Sequence, residues 1–381
     1  MTVTLREFQV FAKPTGPVCN LDCLYCYYLK KDKLFPEGEL FRMPDDILEL
    51  YIIQHIEATT DQVISFSWHG GEPTMLGLDY FKKIITFQKR HQSHGRKILN
   101  GIQTNGTLLN EDWCRFLKEE NFAVGISIDG PKDMHDRYRL TRDQKSTFDR
   151  TVNSYKLLQQ FGVLSEILCV VNADNVRHPL EVYRFFRQLN AKYITFLPLV
   201  EQDPAMEKGT SDYSVPPQAF GDFLCEIFDE WIASDIGQIK IQIFEEAVRT
   251  AFCQDHTLCI FKKTCGGVPV IEHNGDFYSC DHFVDPEHHL GNISKKPLAE
   301  LLDSAAQKAF GQAKLDTLPR YCQVCEVRDM CNGECPKNRF ILAPDGESGL
   351  NYLCPGYKLF FNHCKPFVMQ VAEIWKQQNP V

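Results

Sequence analysis

Between Leu5 and about Asp235, short apolar runs alternate with longer stretches of helical period. The runs Glu7–Ala12, Gln62–Trp68, Lys97–Gln103, Phe122–Ile128, Ser165–Val171 and Tyr193–Pro198 read as strands. Between them the pattern predicts helices over Asp45–Ala58, Leu78–His94, Glu111–Glu119, Thr147–Phe161 and His178–Leu189, with Pro217–Ser234 after the last strand. One strand and one helix recurring every roughly 25–45 residues predicts right-handed βα units around a parallel sheet. Six such units predict an α/β fold, a curved partial (β/α)6 TIM-like barrel in place of a closed eight-stranded one.

Polar, glycine-rich segments follow several of these strands: His69-Gly70-Gly71-Glu72-Pro73, Thr104-Asn105-Gly106 and Asp129-Gly130-Pro131. Sites of parallel α/β folds gather at the carboxyl ends of strands, where loops vary without disturbing the core. One such loop is as readily an ordinary turn. Three at successive strand ends favour a site along one rim.

After Asp235 the pattern changes. Val268–Glu272 and Phe277–Ser279 flank His273-Asn274-Gly275-Asp276, which reads as a β-hairpin. A helical stretch over Leu298–Gln312 precedes a cysteine-rich, loop-like segment. So few periodic apolar elements cannot build a large core, and bound metal would act as the staple. The expected division is a barrel over residues 1–235 and a smaller domain over 236–381 that ends in a helix. Pro204–Pro217 reads as a mobile connector or lid.

The chain has 381 residues, is 44% hydrophobic and 24% charged, and carries a net charge of −9. That balance excludes extensive disorder and argues against a nucleic-acid binder with a basic footprint. No apolar run reaches the roughly 18 residues of a membrane span. Met1–Val10 includes Arg6, Glu7 and Gln9, which does not suit a signal peptide. A soluble, cytoplasmic protein is expected. Its 16 cysteines then point away from disulfides, because thiols clustered at short spacings in a reducing compartment more often bind metal. Cys114, Cys169, Cys225, Cys253 and Cys364 are scattered and read as ordinary small side chains.

Cys19, Cys23 and Cys26 crowd one loop after the first strand. Three thiolates can bind three irons of a cubane and leave the fourth iron an open position. A zinc site that borrows a distant ligand is the alternative. Eight more cysteines follow: Cys259, Cys265, Cys280, Cys322, Cys325, Cys331, Cys335 and Cys354. They suffice for two fully ligated cubanes or for two zinc sites. Zinc cannot accept an electron, and the first group already points to iron.

The CxxxCxxC run placed before Gly70-Gly71-Glu72-Pro73 resembles the radical S-adenosylmethionine (SAM) superfamily. The resemblance implies a [4Fe–4S] cluster on Cys19, Cys23 and Cys26, with SAM bound through its amino and carboxylate groups to the open iron. It implies further SAM contacts from the Gly70-Gly71-Glu72 loop to the amino group and from Ser127 and Arg139 to the ribose and carboxylate. The backbone of Tyr25 and the side chain of Val200 would flank the adenine. Cys322-x2-Cys325-x5-Cys331-x3-Cys335 with Cys354 resembles the SPASM extension of peptide-modifying members. That likeness implies two auxiliary [4Fe–4S] clusters, three in all: one on Cys259, Cys265, Cys280 and Cys335, the other on Cys322, Cys325, Cys331 and Cys354.

Tyr278-Ser279-Cys280-Asp281-His282, with Trp68–Thr74, Gln103–Thr107 and Leu290–Ile293, is similar to the anaerobic sulfatase-maturating enzymes over nearly the whole chain. This implies oxidation of a Cys or Ser in an unfolded sulfatase segment to Cα-formylglycine. A 5′-deoxyadenosyl radical would take hydrogen from Cβ, the nearer auxiliary cluster would take an electron, and Asp281 the thiol or hydroxyl proton. A reduced flavodoxin or ferredoxin-like protein is the implied donor. For Asp281 a turn-capping carboxylate is the alternative. His69 is read either as a substrate contact or as a structural hydrogen bond, and Tyr28 as pocket lining or packing. His273, His282, His288 and His289 raise a metal site against which the nearby thiolates argue. Three other functions stay open: a SPASM maturase that forms thioether or carbon–carbon crosslinks, an electron-transfer protein, and a zinc-stabilised binding module. Crosslinking maturases often carry a recognition domain before the barrel, and a first strand so close to Met1 is not expected to leave room for one.

Overall fold

Each apolar run read as a strand pairs in the computed structural model, which describes residues 8–203, 205 and 209–379. The strands are β1 (Phe11–Lys13), β2 (Val63–Trp68), β3 (Lys97–Thr104), β4 (Phe122–Ser127), β5 (Leu164–Val171), β6 (Tyr193–Pro198), β7 (Lys240–Ile241), β8 (Val270–Glu272), β9 (Asp276–Tyr278) and β10 (His289–Asn292). β1 is shorter and later than the run Glu7–Ala12, whose first residue lies outside the described residues. The α/β class and the succession of parallel βα units agree with the expected partial barrel.

Packing divides the chain into two compact units. The first comprises Met1–Ile128, Asp136–Glu166 and Gly266–Gly311; the second comprises Asp129–His135, Ile167–Cys265 and Gln312–Val381. In the first unit β1 to β4 run parallel in sequence order. The helix Asp45–Ala58 covers this sheet with Leu48, Tyr51, Ile52, His55 and Ile56, a spacing that puts all five on one helical face. Tyr51 and His55 meet Phe66 of β2, the His55 ring stacking on it at 4.4 Å.

The other edge of β1 differs from expectation. β8 lies parallel to β1 in the register Phe11↔Val270, Ala12↔Ile271 and Lys13↔Glu272. β9 pairs antiparallel with β8, and β10 with β9. The hairpin read as a separate C-terminal feature therefore extends the barrel's first strand. The stretch Leu298–Gln312 is not one helix but two, Leu298–Leu302 and Ala305–Asp316. The chain breaks at Asp303-Ser304, where the Ser304 hydroxyl accepts from the Gln307 amide at 3.2 Å.

In the second unit β5, β6 and β7 pair parallel. The helix Gln242–Ala251 was not legible as an element. Of the connector Pro204–Pro217, residues 204 and 206–208 lie outside the described residues. The described part is tied down, with the Ser211 and Val215 amides donating to the Glu201 and Leu199 carbonyls at 2.9 Å each. Among the described residues no helix is long and apolar enough to cross a membrane.

The helices Pro217–Ser234 and Cys354–Gln378 cross at Gly221 and Gly356. A Cβ on Gly356 would fall 2.2 Å from the Pro217 carbonyl oxygen, and one on Gly221 2.7 Å from the Gly356 Cα. Those two glycines set the seat of Cys354 at the helix start. Gly356→Ala is expected to destabilise the protein by about 1–3 kcal/mol through overpacking. Denaturant unfolding checks it; an unchanged midpoint would mean that the crossing tolerates a methyl group.

Candidate active site

The loop after β1 carries Cys19, Cys23 and Cys26, and its shape comes from backbone pairing. The Asp22 and Leu24 amides donate to the Leu140 and Tyr138 carbonyls at 2.9 and 3.0 Å, and the Cys26 amide to the Cys23 carbonyl at 2.9 Å. From the other side, the Gly71 and Glu72 amides donate to the Gly16 and Val18 carbonyls at 2.7 and 2.9 Å. A Cβ on Gly71 would lie 1.9 Å from the Val18 oxygen. Only glycine permits that approach.

Glu72 is buried and fully occupied. Its carboxylate accepts from the Thr74 amide at 3.0 Å and hydroxyl at 2.5 Å, the Thr104 hydroxyl at 2.8 Å and the Asn105 amide at 2.7 Å. Burial raises its pKa against these four bonds. Through Asn105 the carboxylate reaches the cysteines, since the Asn105 side-chain amide donates to the Cys19 sulfur at 3.7 Å and to Asn20 at 2.9 Å. The Leu21 amide donates to the same sulfur at 3.4 Å. Burial, with Glu72 and Cys26 nearby, still pushes the Cys19 thiol up to about 11. Tyr25 and Arg139 are buried together, the guanidinium carbon 5.4 Å from the ring centroid. Ser127 is buried at the end of β4.

Asp281 belongs to the same unit. The Lys13 ammonium lies 2.5 Å from its Oδ1, with Lys13 itself buried. The Tyr27 hydroxyl donates to Oδ2. Burial alone would raise the Asp281 pKa; the Lys13 and His282 charges and the two hydrogen bonds overcome it and hold the carboxyl well below its usual range. Lys13 also sits 3.9 Å above the Tyr28 ring, whose hydroxyl donates to the buried Glu272. Tyr27 follows Cys26 and Asp281 follows Cys280, so one hydrogen bond joins the neighbours of two cysteine groups. Asp281 is no surface turn cap.

His69 makes the structural bond, with Nε2 2.8 Å from the Ser67 hydroxyl and its ring stacked on Phe11 at 4.0 Å. Burial and Lys13 lower its pKa to about 3, so it is neutral. His273, His288 and His289 lie against Glu39, Asp285 and Asp276 at 3.1, 2.8 and 3.3 Å. Among the described residues no three His, Cys, Asp or Glu close on a single ion.

The second unit holds Val200 and seven of the eight later cysteines. Val200 is buried just after β6, its carbonyl accepting from the Lys337 ammonium. The seven thiols fall into two neighbourhoods. Lys314 faces Cys265, Cys335 and Cys259. Cys354, in turn, is pushed up to about 12 by burial and by Cys322 and Cys325, and Cys331 is raised by burial, then by Glu334 and Cys354. Cys322, Cys325, Cys331 and Cys354 line one cavity together with Tyr321 and Lys358. Half-buried thiols that oppose one another's ionisation suit a cationic iron–sulfur core, and the donor set fits cubane clusters. Glu246 shapes the approach to Cys259 by accepting from the Thr257 and Leu258 amides at 3.0 Å each.

A model of the Radical SAM superfamily matches residues 14–186, and one of the SPASM iron-sulfur cluster-binding domain matches residues 259–326. A serine-type anaerobic sulfatase-maturating enzyme of Bacteroides thetaiotaomicron is 43% identical over 98% of this chain and 94% of its own. The chain belongs to the anaerobic sulfatase-maturating enzymes. A cysteine-type family member from Clostridium novyi is 32% identical over 94% of this chain and 95% of its own. The solved structure of native anSMEcpe with bound AdoMet, 32% identical, superposes with a TM-score of 0.87 over 96% of this chain and 99% of that one. The same relative has been solved with a bound Cp18Cys peptide, also at 0.87. A SAM-bound Streptococcus suis SuiB, at 16% identity and a TM-score of 0.60, shares the fold.

Within this family framework, sequence reasoning missed Lys13, Tyr27 and Glu272, and it placed Asn105 on a site loop without its contact to Cys19. A lysine closing a buried strand was the available signal for Lys13. Gly71→Ala is expected to displace the cysteine loop and to lose most iron bound there, leaving that on the other cysteines. Iron counts after anaerobic reconstitution check this; a full count would show that the close approach is dispensable.

Proposed function

We propose that the protein oxidises a Cys or Ser side chain in an unfolded sulfatase segment to Cα-formylglycine, with Cys19, Cys23 and Cys26 holding the cluster that binds SAM. The hydrogen bond between Tyr27 and Asp281 carries this reading, because it holds the carboxylate that follows Cys280 against the residue that follows Cys26. SAM at the open iron supplies the hydrogen-abstracting carbon radical, and the auxiliary [4Fe–4S] clusters supply the sink for the second electron.

The chain's own residues do the rest. Gly70 and Gly71 let backbone carbonyls approach the SAM amino group, and Glu72 fixes that loop through Thr74, Thr104 and Asn105. Ser127 and Arg139 bind the ribose and carboxylate, while Tyr25 and Val200 flank the adenine. Lys13 keeps Asp281 ionised and Tyr27 fixes its direction. Asp281 then accepts the thiol or hydroxyl proton as the Cβ–heteroatom bond becomes double. Counted together, one hydrogen atom, one electron and one proton leave, which is a two-electron oxidation. A thioaldehyde from Cys goes on to the aldehyde by hydrolysis.

In this reading the auxiliary clusters are ligated by Cys259, Cys265, Cys280 and Cys335, and by Cys322, Cys325, Cys331 and Cys354. The two thiol neighbourhoods of the second unit support that interleaved pairing. In sequence the barrel's βα units occupy residues 1–235 and the SPASM region 236–381, with β8 of the latter pairing on β1. A reduced flavodoxin or ferredoxin-like protein supplies electrons in the cytoplasm. The relatives named above divide into serine and cysteine types, so both substrates belong in the test.

The test is anaerobic incubation of reconstituted protein with SAM, reductant and matched Ser and Cys peptides, read by mass spectrometry. Conversion of either side chain to the aldehyde is expected; an internal crosslink would overturn the reading. Asp281→Asn is expected to keep SAM cleavage and lose most aldehyde product, about 10²-fold or more, as general bases typically contribute. Normal product formation by that variant would remove Asp281 from the reaction.

A further inference from the structure

Three charged residues of the second unit, the buried Lys314 and Glu334 and the half-buried Arg339, have no part in the reaction as described. Lys314 is 1% exposed, and its ammonium donates to the Ile260 and Cys259 carbonyls at 2.7 and 3.0 Å. A lysine is almost never buried so completely without a charged partner. Here the hydrogen-bond partners are neutral carbonyls, and the charges near it are the Cys265, Cys335 and Cys259 thiols and the Glu334 carboxylate.

Arg339 is spread in the same way over main-chain oxygens: Lys314 at 2.6 Å, Gly333 at 2.9 Å, Asn332 at 3.1 Å and Glu334 at 3.3 Å. It faces Cys322 and Cys331 as well as Cys265. Glu334, beside Cys335, is buried and takes amide hydrogen bonds from Asn351 at 2.6 Å and Asn338 at 3.2 Å. Two cations and one carboxylate leave a net positive charge among the thiols.

Reduction adds a negative charge to an iron–sulfur cluster, and net charge and hydrogen bonding around it set its potential. A fixed cation in a low-dielectric interior stabilises the reduced form, and an anion opposes it. We propose that Lys314 and Arg339 raise the reduction potential of the auxiliary cluster at Cys259, Cys265 and Cys335, making it the substrate's electron acceptor, with Glu334 limiting the rise. This rests on the assignment of those cysteines to a cluster. Lys314 acts chiefly on that cluster; Arg339, near cysteines of both sets, also raises the potential of the second.

The test is an EPR-monitored redox titration of reconstituted holoprotein, with iron and sulfide counts on each sample. Lys314→Met is expected to keep its iron and shift one auxiliary potential negative, cutting the reduced-to-oxidised ratio at fixed potential about tenfold, roughly 59 mV for one electron. Glu334→Gln is expected to move the same potential the other way, and Lys314→Arg to restore the wild-type value. A structural role would lower iron content in both directions of charge change and would not reverse sign. Unchanged potentials in iron-replete Lys314→Met and Glu334→Gln, or shifts of equal sign, overturn the inference. If Lys314→Met loses iron, the sign of the shift in Glu334→Gln decides. Wild-type protein without iron on the auxiliary cysteines would overturn the cluster assignment itself, an outcome that the counts separate from a failed potential shift.

Discussion

The parallel pairing of β1 with β8 is the constraint from which the site follows. It sets Lys13 opposite Glu272, and the chain then turns through Tyr278 and Cys280 to bring Asp281 onto the Lys13 ammonium. Residues more than 250 positions apart are thereby fixed at contact distance. A buried ion pair adds little net stability, but loss of one partner typically costs about 3–5 kcal/mol. The pair therefore acts less as glue than as a register mark, holding one ionised carboxylate beside Cys280.

The same economy of position governs the N-terminal cysteines. Gly71 and Glu72 grip the loop's backbone at Gly16 and Val18, while Asn105, itself held by Glu72, reaches the Cys19 sulfur. Three successive strand ends thus converge on one thiolate. Donors to sulfur favour the thiolate form that metal binding requires, but burial outweighs them at Cys19, so what the fold prepares there is position.

Local pattern carried much of this, and its failures share a cause. Tyr193–Pro198 and Asp45–Ala58 were legible to the residue because apolar period and turn chemistry agree there. The cysteine spacings were legible because thiolates at short intervals have few other uses in a reducing compartment. The partnership of β8 with β1 was not, since strand pairing across the chain leaves no periodicity in either strand. Lys13, Lys314 and Glu334 look like solvent-facing charges in the sequence, yet all three are buried. The break at Ser304 turned on one hydroxyl acting as a cap in a stretch whose apolar period continues through it.

The proposed chemistry requires that the loop of Cys19, Cys23 and Cys26 hold a cluster with a coordination position free for SAM. The most direct measurement is the EPR spectrum of the reduced, reconstituted protein before and after SAM is added. One of the cluster signals is expected to change on SAM addition and to be absent from a Cys19→Ala variant, the others persisting. A spectrum indifferent to SAM, or protein that carries zinc where iron is expected, would contradict it.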